Sequence, residues 1–419
     1  MSTHLGAEFD ETIAHGPDPY EFYARARVEQ PVFYSHRFDL WFITRHDHVV
    51  RVLLDPTGFS SEDRSIKPKR WPPRVAAVMA SKRHAKHLGN TDPPAHTRLR
   101  QVLNQAFLPT VVAGYAPLIR EVADDLLDRL AGPEVDLLNE YCYPLPLIVI
   151  LRVIGVPLDD LDRCMRWCRD KSTLDFAAET LNEDEQLRAA ESSVAFVDYC
   201  DNLVRQRQHA PLDDLISRLL KTRVKGHPPL SGPEVADLLP LLIFAGHETT
   251  ANLLGNLLWQ LLSTGHWDRL VTDPDLLEAA VEEGLRYDTP ALGFVRRALQ
   301  DTTIAHVRIP AGSRVFLLFG SANRDPARWS EPERFGFPRD RASGHLALGQ
   351  GIHFCVGAPL ARLETRIGLD RLLRRQPTLR LTDPVTEPER RVHLVLRTLR
   401  RLPAHWDQKL SRLNGGGAA

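Results

Sequence analysis

The stretch GQGIHFCVG, residues 349–357, decides the fold of this chain. It places Cys355 among glycines and two residues after His353. A helix-like run begins at Ala358, and backbone N–H groups near a helix start favour a thiolate over a thiol. The glycines also let a flat ligand approach the backbone. The pattern therefore favours a thiolate that binds a metal, with an inert buried cysteine as the alternative.

Composition excludes several classes of protein. The chain has 419 residues, of which 43% are hydrophobic and 26% charged, so it can bury a large core and is not a disordered protein. The formal net charge is -1, which offers no global basic surplus for nucleic acid and no acidic tail. Any charged partner must therefore meet a local patch.

Neither end of the chain nor its interior predicts a membrane segment. Residues 1–16 are polar and acidic, without the apolar centre of a signal peptide. The longest apolar tract, 238–262, is interrupted by polar residues that are costly in lipid, namely His247, Glu248, Asn252, Asn256 and Gln260. We expect a cytoplasmic protein in which this tract is a buried core helix.

The cysteine pattern predicts no disulfide framework. Five cysteines, an odd number, occur without CxxC spacing, at Cys142, Cys164, Cys168, Cys200 and Cys355. Cys164 and Cys168 share a helical face, so we expect them to be packing residues.

Hydrophobic periodicity predicts one large α-rich domain with a minor β part. Helical periodicity recurs over 111–130, 181–208, 213–220, 233–262, 276–287 and 358–374. Residues 31–45 are typical of a hairpin with its turn near Arg37, Phe38 and Asp39, and residues 392–399 alternate like a strand. We find no internal repeat and no linker that would divide the chain.

The longest predicted helix has an unusual centre. Ser231, Pro233 and Glu234 are typical of a capping box at its start. Residues 244–250, FAGHETT, then place a carboxylate and two threonines in the core. Either Gly246 allows close packing and Thr249 bonds to a carbonyl one turn back, or a widened turn leaves room for a small ligand beside which Glu248 and Thr249 manage protons.

Residues 348–362, LGQGIHFCVGAPLAR, resemble the cysteine loop of bacterial cytochrome P450s. The family pattern, Phe-Gly-x-Gly-x-His-x-Cys-x-Gly-x-x-Leu-Ala-Arg, is matched at Gly349, Gly351, His353, Cys355, Gly357, Leu360, Ala361 and Arg362. The family's phenylalanine beside the thiolate is Leu348 here. The resemblance implies a mainly α, single-domain cytochrome P450 fold over 1–419, with short disordered tails. Haem b would lie between the long distal helix and the proximal cysteine-loop helix, with Cys355 as axial ligand.

The resemblance also implies roles for residues outside the loop. Glu283 and Arg286 match the family's structural Glu-x-x-Arg pair, for which Arg334 is our candidate third partner. The haem propionates would be met by His96, Arg100, Arg296 and His353, with Arg297 as an alternative to Arg296. Ala245, Gly246, Gly349 and Gly357 complete the predicted haem contacts.

In the family, the segment that FAGHETT resembles distorts over the distal haem face. Thr249 would then hydrogen-bond to dioxygen, and Glu248 would relay protons from solvent. The substrate pocket implied by family position is mostly apolar, and comprises Leu242, Phe244, Ala245, Ala291, Leu292, Gly293, Phe294, Leu396 and Thr398.

A basic segment precedes His96 and covers the substrate in family members. Its cations are Lys67, Lys69, Arg70, Arg74, Lys82, Arg83 and Lys86. It is either a solvated loop or a recognition element for an anionic substrate or an acidic carrier protein.

The implied function is a haem-thiolate monooxygenase that oxidises a small organic, secondary-metabolite-like substrate with dioxygen and two external electrons. The chain has no Gly-rich dinucleotide fingerprint, so we expect a separate ferredoxin and ferredoxin reductase, docked through residues such as Arg98, Arg100 or Arg341. The alternatives are oxidative cross-linking or peroxide-driven oxidation on the same scaffold, and a non-catalytic haem binder. No nucleic-acid or membrane partner is expected.

Overall fold

The computed structural model describes residues 4–13, 18–62, 66, 71–81, 86–130, 132, 134–339, 344–391 and 393–407. These residues are mainly helical with a minor β part, which confirms the predicted fold class. We expect short disordered tails at both ends of the chain. Residues 1–3 and 408–419 lie outside the described residues. A single domain over 1–419 stays a prediction.

Seven helices correspond to the six predicted helical segments, with ends shifted by a few residues. The predicted helix 111–130 is interrupted at Gly114 and Tyr115, where α6 gives way to α7. The described helices are α1 (His4–Glu8), α2 (Tyr20–Glu29), α3 (His46–Leu53), α4 (Pro73–Ser81), α5 (Ala95–Ala106), α6 (Pro109–Ala113), α7 (Ala116–Arg129), α8 (Pro144–Ile154), α9 (Leu161–Phe176), α10 (Glu183–His209), α11 (Leu215–Lys221), α12 (Gly232–Ser263), α13 (His266–Thr272), α14 (Leu277–Tyr287), α15 (Phe319–Ala322) and α16 (Ala358–Arg375).

The strands form three small sheets. They are β1 (Val32–Ser35), β2 (Leu40–Ile43), β3 (Phe59–Ser60), β4 (Glu134–Asp136), β5 (Gly293–Ala298), β6 (Thr302–Ile304), β7 (Val307–Ile309), β8 (Arg314–Leu318), β9 (Arg380–Leu381) and β10 (Pro403–His405). The largest sheet has the order β1-β2-β8-β5-β3, the second β4-β10-β9, and β6 pairs with β7. Antiparallel pairing of β1 with β2 confirms the predicted hairpin.

The predicted strand at 392–399 is wrong for its described residues. They form only isolated bridges, Ala291 with Leu396 and Arg390 with Leu399. Backbone bonds instead join this segment to the loop before β5, where Leu292 donates its N–H to the Val395 carbonyl at 2.6 Å. Residues 395–399 are all buried, without the alternation of a strand that has one exposed face, so the segment packs on that loop and forms no continuous ladder.

Helix α12 runs through the centre of the molecule. Its capping box is present, since Ser231 accepts from the Glu234 N–H and the Glu234 carboxylate accepts from the Ser231 N–H. Its apolar side chains belong to one buried cluster whose members extend from Leu5 to Trp406. A Cβ on Gly246 would lie 2.9 Å from Cγ1 of Ile150, so this glycine lets α12 pack closely on α8.

The described residues include no single helix that is both long and apolar enough to cross a membrane. Only a bent pair, Ala95–Ala113 with Ala116–Arg129 at 70°, meets those criteria of length and composition together.

A buried ion-pair network joins α14 to the chain that leads towards the cysteine loop. Nε and Nη2 of Arg286 each donate to the Glu283 carboxylate at 2.8 Å, and both residues are fully buried. The third arginine is Arg339, whose Nε lies 3.2 Å from Oε2 of Glu283. Arg334, our candidate, is the wrong residue: its carbonyl turns inward to accept from Arg286 at 3.2 Å, so its side chain points to the surface beside Glu331.

Replacing Arg339 should destabilise the protein much more than replacing Arg334. The R339A variant leaves the buried Glu283 carboxylate with one guanidinium partner fewer, which we expect to cost about 1–3 kcal/mol of unfolding free energy. The matched control, R334A, removes an exposed pair and should stay within about 0.5 kcal/mol of the wild type. Denaturant unfolding of the holoprotein measures both. Equal losses would contradict the network described here.

Candidate active site

The cysteine loop is a tight turn seated against α3. Cys355 donates its N–H to the Leu348 carbonyl at 2.8 Å, and a 3₁₀ turn at Gly351–His353 precedes it. Gly351 has a φ of 73°, and a Cβ there would lie 2.5 Å from the Leu53 carbonyl oxygen. A glycine is therefore required both by the left-handed backbone and by the close approach of α3.

The surroundings of the Cys355 sulfur contain opposing influences. Burial raises the pKa of the thiol above its usual value. Hydrogen bonds from the backbone N–H groups of Gly357 and Ala358 act in the opposite direction, as do the charges of Arg100 and Arg362. The predicted stabilisation of the thiolate at the start of α16 is therefore present, but it is smaller than the effect of burial.

One cavity brings most of the predicted site together. It lies between α12 and the loop before α16, and Leu348 lines it beside the cysteine. The predicted residues on its wall are Arg100, Leu242, Ala245, Gly246, Thr249, Ala291, Phe294, Arg296, Gly349, His353, Cys355 and Gly357. The cysteine thus faces the same space as the threonine of the central helix.

The other predicted residues do not line this cavity; they are Phe244, Leu292, Gly293, Leu396, Thr398, His96 and Glu248. Gly293 is covered by β8, since a Cβ would lie 2.1 Å from the Leu317 carbonyl oxygen. Phe244 packs instead on Phe176, with ring centroids 6.3 Å apart. Leu396 contributes indirectly, through its bridge to Ala291.

Arg100 and His353 line the cavity, and His96 packs against His353 without lining it. Arg100 bonds to the Phe354 carbonyl and, at 2.8 Å, to Asn104 Oδ1. His96, one turn earlier on α5, is buried with its ring 4.3 Å from that of His353, and its Nε2 has no hydrogen-bond partner among the described residues. These groups fit the carboxylates of a haem, and the unpartnered Nε2 of His96 is available to bind one of them.

The strand β5 distinguishes between its two arginines. Arg296 is buried, lines the cavity and donates from Nη1 to the Val295 carbonyl at 2.9 Å. Arg297 points to the opposite face of the sheet, where it lies 3.6 Å from the Glu62 carboxylate. Successive residues of a strand face opposite sides, so only Arg296 faces the cavity.

The centre of α12 differs from the predicted widened turn. The helix is α-helical throughout Gly232–Ser263, without a wider turn at 244–250. Oγ1 of Thr249 donates to the Ala245 carbonyl at 2.8 Å, one turn back. The hydroxyl is thus held by its own helix and still faces the cavity.

Glu248 does not share the cavity of Thr249. Its side chain, 4% exposed, lies in a second pocket on another side of α12, where Tyr143 donates to its Oε2 at 3.4 Å. Burial raises the pKa of Glu248 to about 7, against the opposing effects of Arg391, Arg169 and Tyr143. Neighbouring residues on a helix point roughly 100° apart, which explains the separation.

Sequence reasoning missed a buried acid on the cavity wall. Glu364 of α16 lines the cavity with 1% exposure, and neither carboxyl oxygen has a partner among the described residues. Burial raises its pKa well above the usual value. The available signal was its spacing of four residues from Leu360, which places both on one helix face. Tyr143, Arg169 and Arg391 were also missed, because no local pattern connects them with Glu248.

Comparison with known proteins identifies a family and full-length relatives. The Cytochrome P450 family model matches residues 269–401. The chain is 40% identical over 405 residues to Cytochrome P450 107B1 of Saccharopolyspora erythraea, covering 94% of this chain and 96% of the relative. It is 34% identical to Cytochrome P450 monooxygenase PikC of Streptomyces venezuelae, covering 93% and 91%.

A solved structure extends the comparison to the fold. Cytochrome P450 CREJ in complex with (4-ethylphenyl) dihydrogen phosphate superposes with a TM-score of 0.88 at 32% identity. The match covers 94% of this chain and all of the solved one.

The raised pKa of Glu248 should be visible in the infrared spectrum. We expect the C=O band of a protonated carboxyl below about pH 7, lost as the pH rises to 8.5 and missing from the E248Q variant. The E364Q variant is the matched control: it keeps Glu248, so the loss of the band with rising pH should remain as in the wild type. A pH-independent difference between wild type and E248Q would contradict the assignment.

Proposed function

The chain belongs to the cytochrome P450 family and is a haem-thiolate monooxygenase, and on that premise we propose that it uses ferredoxin-derived electrons to oxidise a small, largely apolar organic molecule. The observation that carries this proposal is the single cavity that both Cys355 and Thr249 line. A passive haem binder has no need of a hydroxyl there.

Haem b, when bound, supplies dioxygen activation and the electron push of a thiolate-ligated iron. In our proposal Cys355 is the ligand, and the N–H groups of Gly357 and Ala358 stabilise negative charge on its sulfur. Arg100, Arg296 and His353 of the cavity wall would bind the propionates, together with His96, which packs on His353.

Proton supply would divide between the two residues at 248 and 249. Thr249 presents its hydroxyl to the cavity, where it can donate once its bond to the Ala245 carbonyl is exchanged for one to dioxygen. Glu248, with a pKa of about 7, can both take and release a proton near neutral pH. Because its carboxyl lies outside the cavity, the proton must pass from one side of α12 to another to reach Thr249.

The substrate class follows from the cavity wall. Leu242, Ala245, Ala291 and Phe294 offer an apolar surface, which suits a hydrophobic molecule of the secondary-metabolite type. The similar CREJ structure holds an aryl phosphate, an apolar ring with an anionic group, and a substrate of that composition is compatible with this proposal.

The basic segment has no part in this proposal, because most of its cations are not described. Lys67, Lys69, Arg70, Lys82 and Arg83 lie outside the described residues. Of the two described cations, Arg74 pairs with Asp184 of α10 at 3.1 Å.

Two of the arginines we expected to meet ferredoxin have other contacts. Arg98 pairs with Glu234 at the start of α12 and donates to the Pro229 carbonyl at 2.8 Å. Arg100 lines the cavity, and Arg341 lies outside the described residues. We therefore retain a ferredoxin and its reductase as donors without assigning the docking residues.

An absorption spectrum of the dithionite-reduced protein under carbon monoxide tests the ligand. We expect a Soret band far to the red of that of a histidine-ligated haem, lost in the C355S variant, because only a thiolate ligand produces this shift. The C164S variant is the matched control and should keep the shifted band, since Cys164 is buried in a different helix. A wild-type band at the position of histidine ligation would refute the assignment.

Removing the Thr249 hydroxyl should separate electron use from product formation. In T249V we expect turnover to product to fall on the order of 100-fold while NADH consumption persists, because the proton donor at the cavity is lost. T249S keeps the hydroxyl and should remain close to the wild type. The assay supplies ferredoxin, reductase, NADH and a substrate found by spin-shift screening. Unchanged coupling in T249V, or full activity with peroxide alone, would favour the peroxide-driven alternative.

A further inference from the structure

The pocket that contains Glu248 is open, polar and basic. It has a volume of about 560 Å³ and lies between α9, the turn after α9, α12 and the segment 391–400. We define the basic pocket by Arg169, Arg391 and Arg400 at its exposed rim and Glu248 in its buried wall. Three cations thus surround one carboxyl, so the pocket carries a net positive charge.

The pocket arginines differ from their neighbours in having no ion pair. Within the described residues, none of the guanidinium groups of Arg169, Arg391 and Arg400 lies within 4.0 Å of a carboxylate oxygen. By contrast, Arg390 and Arg397 of the same segment pair with the buried Asp288 at 2.9 and 3.0 Å. The segment therefore holds two arginines for structure and leaves two others, Arg391 and Arg400, to face the pocket.

We propose that the basic pocket binds a carboxylate or phosphate group carried by the substrate. This inference rests on the proposed function and names the substrate class more closely: an apolar molecule with an anionic group at one end. Guanidinium groups bind both kinds of oxyanion through two parallel hydrogen bonds, and an open rim admits such a group without burying an unpaired charge.

The position of the pocket supports this assignment. A row of rings leads from α12 to the pocket: the ring centroids of Phe244 and Phe176 lie 6.3 Å apart, and those of Phe176 and His393 of the pocket 5.6 Å apart. An anionic group held at the rim would place the apolar body against these rings. From there it reaches towards Leu242 and Ala245, the cavity residues within three positions of Phe244.

The carboxyl of Glu248 is compatible with a bound anion. Of the groups that face it, burial raises the pKa of Tyr143 and lowers that of His393 to about 4. The cationic groups of the pocket are Arg169, Arg391 and Arg400. Glu248 is the carboxyl whose pKa lies near 7. An anion bound by the two guanidinium groups would favour the protonated form of Glu248. Binding of a carboxylate should therefore weaken as the pH rises through about 7.

Equilibrium dialysis of the ferric holoenzyme against decanoate and its neutral counterpart, methyl decanoate, tests the proposal. We expect decanoate to bind at least tenfold more tightly than the ester. In R169Q/R391Q, decanoate affinity should fall tenfold or more while ester affinity stays unchanged. The matched control is R166Q, an exposed arginine three residues earlier on α9 that does not line the pocket. In E248Q the dependence on pH near 7 should disappear.

Several outcomes would overturn the proposal: no binding of decanoate, equal binding of acid and ester, or a double variant that still binds decanoate normally. Acetate that binds as tightly as decanoate would identify a free-anion site instead of a substrate subsite. If R169Q/R391Q does not fold, R169K/R391K keeps the charges without the two-pronged geometry and should lose part of the preference. The dialysis uses no electron donor, so a negative result leaves the monooxygenase proposal standing. The carbon monoxide spectrum tests that proposal separately.

Discussion

A charged carboxylate that is buried away from water needs cationic partners, and this requirement holds together the scaffold around the cavity. Glu283 on α14 has no exposed surface, and its charge is balanced by Arg286 and Arg339. Arg339 belongs to the chain that leads to the cysteine loop, so the ion pair ties that chain to α14. Asp288, just beyond α14, does the same for the segment at 390–397: burial raises its pKa, but Arg390 and Arg397 lower it below the usual value. Removing either centre would leave a charge stranded in the core.

Two other buried acids meet the same constraint with a raised pKa instead of an ion pair. Glu364 has no partner among the described residues, and burial raises its pKa well above the usual value; Glu248 has one weak hydrogen bond and a pKa near 7. The paired acids, Glu283 and Asp288, hold the fold, whereas the unpaired ones border the two pockets. Pairing therefore divides the buried carboxyls into a structural group and a chemical group.

The sequence predicts the parts of this molecule that depend on local patterns. The helices of the six periodic segments, the first hairpin and the cysteine loop follow from periodicity, turn residues and one motif. The predictions that are wrong concern residues whose positions depend on contacts distant in the chain. Arg334 was chosen over Arg339 because the sequence does not show which of two nearby arginines turns its backbone inward. The alternation at 392–399 looks like a strand, but its partner is a loop. Glu248 and Thr249 are adjacent in the chain, and only the packing of α9 and the segment 391–400 around α12 shows that they face different spaces.

The separation of the cavity from the basic pocket by α12 has an evolutionary consequence. Side chains on the cavity face of α12, such as Leu242 and Ala245, can vary to accept new molecules without disturbing the groups around Glu248. Changes at Arg169 or Arg391 can alter recognition of charge without reshaping the space beside the sulfur. One helix therefore separates two sets of residues that selection can adjust independently.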